Sequence, residues 1–181
     1  TSEHGQAMMI ALFLHGRSTS KDALKSSFRR VCEAMGITVH ASSFEGTFKQ
    51  TFAELDGSAL NLQVSPIFDE IVSFTNPGLR DFLQRVVVSD NLIPILLPYI
   101  ANTGELSELW AVFSALKNGN LAGALEADWL LALERCNCDR YRRLEFLTDF
   151  YRIFDTGSLV DFIDGAICLF EEYPLQLDEV S

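Results

Sequence analysis

The sequence predicts an all-α fold, a compact bundle of about eight or nine helices, on three observations. Apolar residues recur at steps of three and four along nearly the whole chain; Ser, Asn and Pro stand where such stretches begin and Gly where they end; valine-rich alternating stretches are scarce. A short α-solenoid of antiparallel helix pairs is the alternative, because residues 77–172 pass through pairs of similarly sized segments. No fixed-period repeat is visible, and short connections between helices favour the bundle. The expected layout is one helical domain over 1–173 and an acidic tail over 174–181.

The first apolar stretch, Ala7 to Leu14, is too short to span a bilayer and follows no basic segment, so it reads as a core helix. Ser20 is the expected N-cap of the next helix and Gly36 its stop, with Leu24, Phe28, Val31, Cys32 and Met35 on one face. Phe44, Phe48, Phe52 and Leu55 then form an amphipathic stripe before Gly57, read as packing surface first and as a partner groove second. Ser65-Pro66 and Asn76-Pro77 each pair a capping residue with proline at the first helical position, which suits a turn whose N–H groups have no intrahelical partner.

Leu79, Phe82, Leu83, Val86 and Val87 line the helix that begins at Pro77, and Asp90 is expected to cap the run after it. That run, Leu92 to Ile100, holds Pro94 and Pro98; Pro98 removes an internal backbone donor, so the element should be short, kinked or broken. Leu106, Leu109, Trp110, Phe113 and Leu116 mark a further helix before Gly119, and Leu121, Leu125, Trp129 and Leu133 the next. Two more follow, carrying Leu144, Leu147, Phe150 and Phe154, then Leu159, Phe162, Ile163, Ile167 and Phe170. Ile37 to His40 is the one strand candidate, and it is brief.

The 181 residues are 48% hydrophobic, enough for one ordinary core, and carry a formal charge of −11. That balance argues against general nucleic-acid binding, which needs a cationic surface, and a nucleic-acid role would have to be local. Charge is unevenly placed: residues 1–50 carry a net +2, and no cation follows Asp155, where seven carboxylates fall in the last 27 residues. Four cysteines at 32, 136, 138 and 168 form no Cys-x-x-Cys pair and no disulfide scaffold, which points to an intracellular, cytoplasmic setting with structural thiols. No metal and no cofactor is expected, because the histidines at 4, 15 and 40 stand in no ligand spacing and Cys136-Asn137-Cys138 lacks a second ligand pair. A Cys32–His40 nucleophile pair would depend on spatial proximity that spacing does not reveal.

Asp155-Thr156-Gly157-Ser158 resembles the catalytic signature of aspartic proteases, yet those enzymes need a second carboxylate to share the proton, and no second Asp-Thr-Gly occurs. Gly157 and Ser158 read equally as a helix stop followed by an N-cap. Gly16 to Lys21 is rich in phosphate-friendly residues but lacks the spacing of a P-loop.

With helices well signalled and chemistry poorly signalled, the expected function is a non-enzymatic protein-interaction module, an adaptor or inhibitor that binds through a groove or a charged face. A self-assembling structural protein and a small all-α enzyme are the alternatives. In size and helix content the chain resembles the apoptosis-regulating Bcl-2 bundles, without their Asn-Trp-Gly-Arg signature, so no residue is carried over. The candidate contact residues are Lys21, Lys25 and Arg29, four apart on one helix, with Arg30 beside them; then Arg140, Arg142 and Arg143 near Arg135. Leu92, Pro94, Pro98 and Tyr99 are the candidate groove. The expected partner is a protein, offering an amphipathic helix or an acidic surface to the Lys21/Lys25/Arg29 stripe, or a second copy of the chain; no membrane span is expected.

Overall fold

The computed structural model describes residues 1–64, 70–115, 119–136, 143–148 and 150. Within them the protein is mostly helical with one small sheet: α1 (Glu3–Phe13), β1 (Ser18–Ser20), α2 (Lys21–Ala34), α3 (Phe44–Leu55), β2 (Leu60–Gln63), β3 (Ile71–Phe74), α4 (Pro77–Ser89), α5 (Ile93–Leu96), a 3-10 turn (Leu97–Tyr99), α6 (Thr103–Ala115) and α7 (Gly119–Arg135). Residues 143–148 are helical again. The expected helix start at Ser65-Pro66, the Asp155–Ser158 motif, the helix over 159–170, Cys138, Cys168, Arg140, Arg142 and the tail over 174–181 lie outside the described residues.

Helix α1 is apolar on most of its circumference, and it becomes the centre of the fold for that reason. Ala7, Met8, Ile10, Ala11, Leu12 and Phe13 are all buried, and α1 packs against α2, α3, α4 and β3. Its first turn is closed by Ser2, whose Oγ accepts from the Gly5 N–H at 3.0 Å.

The expected caps of α2 are present. Ser20 Oγ accepts from the Ala23 N–H at 3.2 Å. At the other end Gly36 adopts φ +69°, the Ile37 N–H donates to the Cys32 carbonyl and the Gly36 N–H to the Glu33 carbonyl. Those two bonds use carbonyls that the last turn leaves free, and glycine meets the left-handed φ without steric cost. Ile37 therefore belongs to a helix stop, and residues 37–40 form no strand.

Helix α4 starts as read, with Asn76 Oδ1 accepting from the Gly78 N–H at 2.8 Å and Pro77 at its first position. Its end corrects two expectations. Asp90 is the C-cap of α4, not the N-cap of the next run, and Asn91 takes the left-handed conformation (φ 52°) that Gly36 takes in α2. Phe82, assigned from periodicity to the packing face, is 56% exposed, while Leu83 and Val87 are buried.

The proline run breaks as its sequence demands: α5 lasts one turn and passes into the 3-10 turn at Leu97. The Leu97 and Pro98 carbonyls are taken by Arg135 at the end of α7, through Nη2 at 3.3 Å and Nη1 at 2.8 Å. One guanidinium thus caps both carbonyls at the break, the Leu97 oxygen also accepting from the Ile100 N–H.

The sheet is a departure from an all-helical reading. Strand β3 is central in the order β1-β3-β2, both pairings antiparallel, with Thr19 opposite Val72 and Leu62 also opposite Val72. The buried side chains form one cluster. At its α6–α7 end Trp110 meets Trp129 edge-on with centroids 5.0 Å apart, and Phe146 and Phe150 pack on Trp110 at 5.0 and 5.7 Å.

Candidate interaction site

The basic stripe and the aromatic stripe, two separate patterns in the sequence, face each other in the fold. Because α2 and α3 each repeat every fourth residue, Lys21 lies over the Phe52 ring (5.3 Å to the centroid), Lys25 over Phe48 (6.0 Å) and Arg29 over Phe44 (4.1 Å). The order of the pairs runs in opposite directions along the two helices. Each lysine also has an acid: Lys21 Nζ is 2.7 Å from Glu70 Oε2, and Lys25 pairs with Glu45. The hydrogen bond from Lys25, with Lys49 beside it, holds the Glu45 carboxyl below its ordinary range. The stripe thus joins α2 to α3, with both lysines part-exposed and Arg29 exposed.

Arg30 belongs to a different cluster. It turns inward to Glu105, a carboxylate only 1% exposed at the start of α6, and its Nη1 donates to Ser26 Oγ at 3.0 Å. Glu105 sits there because Asn102 caps α6, accepting from the Glu105 N–H at 3.0 Å, while Glu105 Oε2 reaches back to the Ala101 N–H at 3.0 Å. His15, just past α1, places Nε2 3.6 Å from Glu105 Oε1. Burial pushes the His15 pKa down; Glu105 and, less strongly, a hydrogen bond to the Ala23 backbone oppose that shift, and Arg30 adds to it. Leu14, Val31, Leu96 and Tyr99 close the crevice around Arg30 and Glu105 too tightly for a water molecule, so the cluster has no room for a substrate.

The other candidates scatter. Arg143 is half-buried. Of the four proposed groove residues, Tyr99 lines the Arg30 crevice, Pro98 is exposed with its carbonyl on Arg135, and Pro94 is half-buried. Leu92 contributes to an open groove among the described residues, and that groove lies elsewhere. It runs between α1 and α4, has a volume of about 350 Å³, and is walled by Met9 and Ile10 of α1, Met35 after α2, and Phe82 and Val86 of α4. Among the described residues that line it, Asp90 has the one charged side chain. Phe82 carried no separate sign in the sequence, since periodicity places it with Leu83 on the packing face of α4.

Nucleophilic chemistry at Cys32 is disfavoured, because burial pushes its thiol up to about 11, and His40 is exposed. Among the described residues no group of three or more His, Cys, Asp or Glu is placed to hold a metal ion, and no helix is long and apolar enough to cross a membrane. Comparison with protein-family models, with curated proteins and with solved structures finds no match for this chain.

Proposed function

We propose that this chain is a non-enzymatic protein-interaction module whose α1–α4 groove receives an amphipathic helix of a partner protein. The observation that carries the reading is Phe82: a large aromatic side chain, 56% exposed, on the wall of an apolar groove. Met9 and Met35 supply unbranched, polarisable walls that adapt to different apolar anchors. An amphipathic helix offers such anchors at i, i+3 or i+4, and i+7. Asp90 at the groove and the net charge of −11 favour a partner helix with Lys or Arg beside its apolar face. The buried thiol of Cys32 is in keeping with an intracellular, cytoplasmic setting for this activity.

Selection of displayed random peptides on the immobilised protein tests this. The expected winners are amphipathic helical sequences with a basic flank that lose binding to Phe82→Glu. Winners that hold Phe82→Glu as well as wild type would remove the groove from the account. If instead wild type dimerises in light scattering and Phe82→Glu does not, the groove is a contact between copies and the self-assembly reading takes its place.

A further inference from the structure

The His15–Arg30–Glu105 cluster has one acceptor atom facing two bases. Glu105 Oε1 is bound by Arg30 Nη2 and stands 3.6 Å from His15 Nε2, a buried atom without a hydrogen bond. With His15 neutral, the site holds one cation and one anion. A proton on Nε2 would make two cations to one carboxylate where hydration is poor, and an unmatched buried charge is costly. Among the described residues no second anion is placed to compensate: Glu108 of α6, next to Gly16, is already paired with Arg80 of α4 at 2.5 Å.

The imidazole has a way out. His15 follows the last turn of α1 and precedes Gly16, whose φ of +79° ends the helix, and its side chain is 14% exposed. The turn is held by the His15 N–H on the Leu12 carbonyl at 3.0 Å and the Gly16 N–H on the Phe13 carbonyl at 2.9 Å. We propose that this cluster is an acid-sensitive joint, in which a proton taken up by His15 frees the turn at residues 14–17 from its packing against α2 and α6.

The sign follows from linkage. Burial lowers the His15 pKa in the closed form, so the open form binds the proton better below about pH 6.5, and acidification favours opening by up to tenfold per pH unit. Amide hydrogen exchange at residues 14–17, corrected for intrinsic rates and measured from pH 7 to pH 5, reads this directly. Protection should fall by several-fold or more in wild type, stay level in His15→Gln, and fall as in wild type in His40→Gln. An NMR titration of the unmodified protein should place the His15 imidazole below 6.5, which keeps the proposal testable if His15→Gln folds poorly. Level protection in wild type, the same loss in His15→Gln, or a His15 titration at or above 6.5 would each overturn it.

Discussion

Removing either partner of the Arg30–Glu105 pair should destabilise the protein, but by unequal amounts. Glu105 is 1% exposed, and Arg30→Ala leaves that carboxylate with the Ala101 N–H as its remaining strong donor. An uncompensated buried charge of this kind costs about 3–5 kcal/mol. Glu105→Gln leaves a cation that is 25% exposed, still bonded to Ser26 Oγ, and able to rehydrate; the amide oxygen can keep the Ala101 bond. Its cost should be about 1–2 kcal/mol, the net worth of one charge-assisted bond discounted for exposure. At roughly 2–4 °C per kcal/mol for a chain of this size, the melting points of the two variants should separate clearly. Urea unfolding at pH 8 with unchanged m-values gives the free energies. Lowering the pH toward 6 should shrink the Arg30→Ala deficit, because His15 then keeps Glu105 as a counter-ion and has lost the cation that opposed its protonation. Equal costs, the reverse order, or a deficit that grows on mild acidification would refute the reasoning.

Other perturbations separate backbone, thiol and surface effects. Gly36→Ala should cost about 1–2 kcal/mol from its positive φ alone, since open space surrounds it, whereas Gly16→Ala should cost about 1–3 kcal/mol more. A Cβ at residue 16 would stand 2.7 Å from Glu108 Oε1, which Arg80 holds in place; equal melting points for the two variants would contradict this. Cys32 should react with a thiol reagent in the native protein far more slowly than in urea, and its rate should still be rising above pH 9; fast labelling at pH 7 would count against its burial. Charge reversal at Lys21, Lys25 and Arg29 together should cost about 1.5–3 kcal/mol through the lost cation–π contacts with Phe52, Phe48 and Phe44, and unchanged stability would return the stripe to the list of free surfaces.

What the sequence disclosed was what is local. Ser20, Asn76-Pro77, Gly36 and Pro98 act through one or two turns of backbone, and each marks a start, a stop or a break in the structure. Asp serves at either end of a helix, so Asp90 alone does not say which; the tolerance of Asn91 for a left-handed φ makes it the C-cap of α4. Ser18–Ser20, Leu60–Gln63 and Ile71–Phe74 are too short to establish alternation in sequence, and they are strands because β3 pairs with both others. The four-residue repeats of Lys21, Lys25 and Arg29 and of Phe44, Phe48 and Phe52 were each legible, but that they meet depends on how α2 crosses α3. Glu105 carried a signal in the Asn102-x-x-Glu105 spacing, which marks a helix start; its burial against Arg30, 75 residues earlier, is tertiary.

The most direct test of the account is the affinity of the best selected amphipathic peptide, by titration calorimetry, for wild type, for Phe82→Glu and for Lys25→Glu. Burying Phe82 against a ligand is worth about 1.5–3 kcal/mol, so Phe82→Glu should weaken binding by roughly 10- to 150-fold while Lys25→Glu, remote from the groove lining, leaves it within about twofold. Binding that survives Phe82→Glu and is lost with Lys25→Glu would place the contact on the α2 stripe and contradict the groove as the site of interaction.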